Sequence, residues 1–390
     1  MEELESRAQI KAEAQYTTDF IKQLDDKLLA GGGGARRDLT KYEKQEATGI
    51  AAEYPAGATP DEAWQTMVKK WKNGVTDSNL GVYTEITKLA YRDFENEGAA
   101  AQREYYEKWG TKSYEVKQNE DYAVISFGKK EGWDNAPFLY SRTDEGWKVD
   151  IVHQRRYIRM GNAPKWGVER GDFPHMELLS GLPYWMEQDI PFEEEDRYTI
   201  AKDKEWASEI LRLEAQNKNN PDDFEILIGL ARLNVLTSMR PNHYFPLLNK
   251  AKSINPEDPR PYKYLAIAHV NSNYQFQSAI AELREFLRRE PDSVFGHSFL
   301  GYLYLQENDF QKAVDELEQA LKLDPNNGYV LCKLSRAYGN LYLKSTALDP
   351  RRGFYKAKSN EMYEAARNAG DANPLRLKWL NHWLKEEGIK

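Results

Sequence analysis

Apolar residues recur at helical spacing through most of the second half of the chain, and the clearest unit runs from Phe295 to Asn327. Leu300, Gly301 and Tyr304 fall on one stripe of a first helix. Ala313, Leu317, Ala320 and Leu321 fall on one stripe of a second, with a polar turn between them and Pro325 closing the unit. Residues three and four apart share a helix face, so the two stripes predict a helix pair. The small residues Gly301, Ala313 and Ala320 let the backbones approach, while Leu and Tyr fill the remaining space. A pair of this kind cannot bury its apolar face alone, and neighbours of the same kind are expected. They are present: Pro221, Pro256, Pro291 and Pro325 recur at intervals of roughly 35 residues. Each is followed in the next helix by a Leu and a small residue, namely Leu230-Ala231, Leu265-Ala266, Leu300-Gly301 and Leu334-Ser335.

The fourth unit departs from the pattern, because Lys344 to Arg352 intervene before its second helix, expected around Tyr355 to Asn368. Leu375 to Lys385, with Leu377, Trp379, Leu380, Trp383 and Leu384, reads as the helix that caps such an array. At the other end, Trp206, Ala207, Ile210 and Leu211 form a helix that suits a lone half-unit, so the array is placed at residues 201–390.

The first half reads differently. Residues 1–30 carry a weak helical stripe (Ile10, Ala14, Phe20, Ile21, Leu24, Leu28, Leu29), interrupted by Gly31 to Gly34. Four consecutive glycines cost too much conformational entropy for an ordered element, so residues 1–58 are expected to be a helix and a flexible joint. A phosphate loop is excluded there, since it needs a preceding strand and a Lys-Ser/Thr ending, and Arg36-Arg37 follow instead. Thr59-Pro60-Asp61-Glu62 is a capping box with Pro at the first helical position. Helices carrying Ala63, Trp64, Met67, Val68 and Trp71, then Tyr83, Ile86, Leu89, Ala90 and Phe94, then residues 99–109, follow. The period then becomes alternating, with strands expected at Ser113–Lys117, Tyr122–Phe127, Pro137–Arg142 and Trp147–His153. Residues 161–200 have little periodicity but carry Trp166, Phe173, Pro174, Pro183, Tyr184, Trp185, Pro191 and Phe192, too much apolar surface for a floppy linker. An ordered connector is expected there. Its Glu193-Glu194-Glu195-Asp196 run suits the positive end of a following helix.

Two family resemblances follow. The repeated helix pairs resemble tetratricopeptide repeats. The order of helices and then an antiparallel meander over residues 59–160, above all the turn and strand Asp144-Glu145-Gly146-Trp147-Lys148-Val149-Asp150, resembles the nuclear transport factor two-like family. The expected fold is therefore an α+β cone, helices on a curved antiparallel sheet, followed by an all-α solenoid. In the cone family the mouth is a ligand or active-site pocket or is plugged, and the exposed sheet often dimerises, so self-association through the sheet is expected alongside other partners. In the repeat family the concave face comes from the first helix of each pair. Carried over, that face comprises Arg232, Lys263, Tyr264, Asn271, Phe299, Tyr302, Gln306, Lys333, Arg336 and Asn340, together with Leu236 and Ser298. Cations around an aromatic patch suit a peptide or helix of a partner protein that carries carboxylates and an apolar anchor. Members that clamp a C-terminal carboxylate use a Lys and an Asn one turn apart in the first repeat; Ile228 and Arg232 stand there, so that clamp is not implied.

Composition narrows the chemistry. The chain has 390 residues, 41% hydrophobic and 12% aromatic, with a net charge of −8. That is enough apolar material for real cores, and the acidic balance argues against nucleic-acid or anionic-membrane binding. Cys332 is the single cysteine, which excludes internal disulfides and cysteine zinc sites. No stretch has signal-peptide or membrane-spanning character; the expected location is cytoplasmic, or periplasmic or otherwise extracytoplasmic if an export signal has been removed. Of the six histidines (His153, His175, His243, His269, His297, His382), none forms a His-x-x-x-His or Glu-x-x-His pair, so no metal or cofactor is expected. His153, at the end of the last expected strand, has Asp150 three residues away on the opposite pleat, a poor partner. The expectation is a non-catalytic interaction scaffold in a larger assembly. A small-molecule-binding or catalytic cone localised by its repeats is the alternative.

Overall fold

The computed structural model describes residues 49–92, 98–127, 135–160, 166–170, 173–179, 182, 184–187, 189–237 and 241–390. The helix and glycine joint expected before residue 49 lie outside these, as do Phe94 and Pro183. Two compact units are present: Met1–Arg170 with Pro174–Met186 and Thr199–Ala215, and Gly171–Phe173 with Glu187–Tyr198 and Gln216–Lys390.

In the first unit a short helix α1 (Gly49–Glu53) precedes α2 (Pro60–Lys72). The capping box forms: the Thr59 hydroxyl accepts from the Glu62 amide, and the Glu62 carboxylate reaches back to the Ala58 amide at 2.9 Å. Helices α3 (Glu85–Arg92) and α4 (Ala99–Tyr105) follow, the latter continued by a π-turn over Tyr106–Gly110. The backbone amides that open α3 donate to the Asp203 carboxylate, from Glu85 at 2.6 Å and Ile86 at 3.2 Å. Strands β1 (Glu115–Gln118), β2 (Tyr122–Ser126), β3 (Phe138–Thr143) and β4 (Gly146–Val149) form an antiparallel meander in sequence order. The β3–β4 turn is tight because Gly146 has φ +118°, and a Cβ there would meet the Gly57 carbonyl oxygen at 2.5 Å.

Rings fill the space between α2, α4 and the sheet. Trp64 meets Trp71 edge-on at 5.4 Å and Phe138 at 5.2 Å, and Trp109 meets Phe138 at 5.3 Å. The opposite sheet face is covered as well: Val124, Leu139, Ser141 and Lys148 are all buried. The expectation that this face of the sheet is exposed is therefore corrected. Helix α5 (Ile151–Tyr157) packs on β3, with the Gln154 side chain accepting the Leu139 amide at 2.8 Å, which leaves the charged β1 edge exposed instead.

The strand expected at Trp147–His153 also ends early. Asp150 caps α5, accepting the His153 amide at 3.1 Å, so β4 stops at Val149 and helical geometry begins. Beyond it, β5 (Ile158–Met160), β6 (Trp166–Arg170) and β7 (Tyr184–Glu187) form a second sheet, in that order. Helix α6 (Asp203–Asn219) carries Trp206, Ala207 and Ile210, which group with the first unit and not with the array.

The second unit is a run of helix pairs: α7 (Phe224–Leu236) with α8 (Pro241–Ile254), α9 (Arg260–Asn273) with α10 (Phe276–Arg289), α11 (Val294–Gln306) with α12 (Phe310–Leu323), and α13 (Gly328–Lys344) with α14 (Arg352–Asn368). Helix α15 (Pro374–Glu386) ends it. Polar residues in the turns cap the first helices: Asp223 accepts the Ile226 amide, Ser293 that of Gly296 and Asn327 that of Val330. Gly301 is needed for the close approach of α11 to α12, because a Cβ there would lie 2.5 Å from Leu317 Cγ. One continuous apolar core runs from Leu227 to Ile389 and includes Ile190 from outside the helices. Among the described residues no helix is long and apolar enough to cross a membrane.

Candidate functional site

The face made by the first helices is occupied by the chain's own segment 189–196. Asp189 and Asp196 are buried at its two ends. Asp189 accepts two bonds from the Arg376 guanidinium, both at 2.8 Å, and pairs with Lys333 Nζ at 2.8 Å. The Tyr329 hydroxyl donates to the Asp189 carbonyl at 2.7 Å. Asp196 pairs with Arg232 Nε at 2.7 Å and Lys263 Nζ at 2.6 Å, and the Tyr264 hydroxyl reaches it at 3.3 Å. Glu193 pairs with Lys263 between these ends, and Arg232 also donates to the Glu195 carbonyl. Ile190 enters the array core, and Phe192 packs against it.

The segment runs against the order of the repeats, with Asp189 at the fourth and Asp196 at the first and second. Its last three residues, Glu194–Asp196, form a 3-10 turn in which the Asp196 amide donates to the Glu193 carbonyl at 3.0 Å. Glu193 and Asp196 thus serve as counter-charges for the array, and the acidic run opens a 3-10 turn, Glu194–Asp196, while α6 begins only at Asp203.

The ionic contacts alter each group in a consistent way. Burial pushes the Asp189 carboxyl up, but Arg376 and Lys333 outweigh it and hold the group well below the usual carboxylate range. Burial lowers Lys333, and the Arg376 charge beside it adds to that effect against the pull of Asp189. Tyr264 is pushed up to about 12, by burial first and then by the Asp196 charge. Lys333 also sits 5.3 Å from the Tyr302 ring and 5.2 Å from Tyr329, so aromatic faces supply part of its surroundings.

Of the expected face, Arg232, Lys263, Tyr264 and Lys333 therefore converge on one acidic segment. Phe299 and Tyr302 are buried, stacked at 6.2 Å, and form the floor of the array core and no open patch. Asn271, Gln306, Arg336 and Asn340 are half-buried. Asn271 donates to the Val235 carbonyl at 3.3 Å and Asn340 to the Arg336 carbonyl at 2.9 Å. Arg376 and Tyr329 escaped the sequence reading: Arg376 lies on the capping helix, and neither occupies a position the repeat pattern singles out.

A second constellation lies in the first unit. Asp150, His153 and His175 are buried, with potential ligand atoms within 4.8 Å of one another. His153 Nδ1 is 2.6 Å from the Asp150 carboxylate, which corrects the expectation that they face opposite ways: the residues are one helical turn apart at the start of α5 and not on a strand. The Ser141 hydroxyl donates to the same carboxylate oxygen at 2.5 Å. His175 Nε2 donates to the Tyr140 carbonyl at 2.8 Å, and burial holds its pKa down at about 4. Spacing searches missed the cluster because His175 joins it from a distant turn. Two nitrogens and one oxygen form a donor set that divalent metals accept, but the carboxylate is engaged by Ser141 and His153. The Ser141 hydroxyl and His153 Nδ1 meet the same Asp150 carboxylate oxygen. The Cys332 thiol is buried in α13 and burial pushes it up to about 11, so it is not an activated nucleophile. A polar cleft of about 490 Å³ opens at Thr84, Arg142, Asp144, Lys148 and Lys204, on the surface and apart from the aromatic filling.

Residues 294–327 match the family model for the tetratricopeptide repeat. The C-terminal half therefore carries a tetratricopeptide repeat within a run of paired helices, and the N-terminal half carries a small antiparallel sheet. No curated protein matches the chain in sequence. Among solved structures, the chain is similar to the MamA protein at 18% identity and a TM-score of 0.36, over 44% of this chain and 91% of that one. It is similar to a thermophilic repeat protein of Thermus thermophilus, TTC0263, at 21% identity and a TM-score of 0.34, over 47% of this chain and 90% of that one. It is also similar to YrrB, described as a repeat protein with an unusual peptide-binding site, at 17% identity and a TM-score of 0.30, over 43% of this chain and 96% of that one.

Proposed function

We propose that this chain is a non-catalytic protein-interaction scaffold whose repeat array docks a partner protein on the face formed by its first helices, within a larger assembly. The observation that carries the reading is that this face already holds an acidic segment by side-chain ion pairs at Asp189 and Asp196. A surface that binds one peptide-like segment has the geometry and charge to bind another. The ring-filled space beneath the sheet and the buried Asp150–His153 pair support a non-catalytic first unit, and the buried Cys332 thiol with its raised pKa supports a non-catalytic array.

The test uses the half-buried positions, since Lys263 and Tyr302 are structural. The full chain and an Asn271→Ala, Gln306→Ala, Arg336→Ala variant are used for affinity capture from the native organism with quantitative mass spectrometry. The expected result is a small set of proteins lost from the variant, with thermal unfolding unchanged. A capture profile indifferent to the three substitutions refutes docking on this face.

A further inference from the structure

We infer that the array's ligand is an acidic peptide with this segment's spacing of carboxylates, and that segment 189–196 is its intramolecular competitor, occupying the face until a partner's peptide replaces it. The inference rests on the scaffold reading above and adds the ligand's chemistry and the site's regulation.

The recognition elements are spelled out by the occupant. A carboxylate at each end, seven residues apart, meets Arg376 with Lys333 at one end and Arg232 with Lys263 at the other. An acid in the middle shares Lys263, and Ile190 with Phe192 supplies the apolar contact. The array offers two cations to each terminal carboxylate, so removing the segment uncovers a strongly cationic face on a chain whose net charge is −8. Such a face selects against neutral and basic peptides and favours acidic ones. The bonds are side-chain ion pairs and a few contacts to backbone carbonyls, all of which a second chain of the same pattern can supply. Nothing covalent or topological ties the recognition to this segment.

Tethering sets the balance. A covalently attached ligand has an effective concentration on the order of 1 mM. If a free peptide of matching pattern binds the vacated face with a Kd of about 10 μM, the tether weakens its apparent affinity for the intact chain roughly a hundredfold. An acidic peptide presented at high local concentration, or a charge lost from the segment, shifts occupancy to the partner.

The experiment uses a fluorescent synthetic peptide spanning residues 187–198 and the full chain, by anisotropy, at low and moderate salt. The chains are wild type and the variant Asp189→Asn, Glu193→Gln, Asp196→Asn. The variant is expected to bind at least tenfold more tightly than wild type and to lose affinity as salt rises. A peptide with its acids replaced by amides is expected not to bind. A second measurement does not depend on the variant's folding: millimolar unlabelled peptide is expected to speed amide exchange of segment 189–196 in the wild-type chain at least fivefold. If the peptide neither binds the variant nor loosens the segment, the inference is overturned. If it does either and the amide-substituted peptide does the same, charge recognition is overturned. Should capture of natural partners depend on the face while the acidic peptide fails, this inference falls and the scaffold reading stands. Indifferent capture sinks the scaffold reading itself.

Discussion

Asp189 is the residue whose loss should be felt most sharply in the array. Its side chain is 5% exposed, that of Lys333 2% and that of Arg376 13%, so Asp189→Asn removes one negative charge from beside two cations with little access to water. Breaking a buried pair by neutralising one partner typically costs about 3–5 kcal/mol, because the surviving charge is left uncompensated. The Tyr302 and Tyr329 faces return about 1 kcal/mol to Lys333. Arg376, the more exposed cation, can move its head toward solvent. The net expectation is a local destabilisation of about 2–4 kcal/mol, felt on α13 and α15 and in the segment. Hydrogen exchange followed by mass spectrometry reads this directly: amides in Gly328–Lys344 and Pro374–Glu386 should exchange faster by about one and a half to three decades, since each 1.4 kcal/mol is a factor of ten. Adding Lys333→Met to Asp189→Asn removes the stranded ammonium and should restore at least half of the lost protection, a coupling of about 2 kcal/mol. Protection that falls by less than tenfold in the single variant refutes the uncompensated-charge argument. So does a double variant no better than the single.

Three further outcomes are expected. His175 stays neutral to about pH 4 through burial, whereas an unfolded histidine takes its proton near 6.5, so the unfolded chain binds more protons in that window. The first unit should lose stability as pH falls from about 6.5 to 4, by up to about 3 kcal/mol from this residue, and be unaffected by pH above 7. Urea unfolding at several pH values checks this, and a His175→Gln chain with the same slope would refute it. Gly301→Ala pushes a methyl to 2.5 Å from Leu317 Cγ and should cost about 1–3 kcal/mol, with Leu317→Val relieving part of the clash, measured as midpoints of chemical denaturation. Because Ser141 and His153 satisfy the Asp150 carboxylate, prolonged EDTA treatment should leave the melting temperature unchanged. A fall of several degrees, reversed by zinc, would mean that Asp150, His153 and His175 hold a metal.

Much of the fold could be read locally. The prolines before each first helix, the Leu-small pairs and the capping residues Thr59, Asp223 and Asn327 all act through bonds within a few residues, so their pattern in one dimension is their pattern in three. The boundary at Asp150 was misread for a related reason. A strand written as alternating residues and a strand that stops to let its last acid cap a helix look the same until the amide of His153 is seen to point at the carboxylate. His175 and Arg376 could not be placed at all, because their partners Tyr140 and Asp189 lie far away in sequence.

The sequence by itself determined that the second half is a stack of helix pairs, and which side chains of each first helix share a face. Periodicity and small-residue placement depend only on helical geometry. Tertiary structure alone decided what that face meets. Arg232, Lys263 and Lys333 look like solvated cations in a list of residues, and Glu193 to Asp196 like a solvated acidic run. They become one site only when closure of long stretches of chain brings them within about 3 Å, a distance at which burial makes each charge depend on the other.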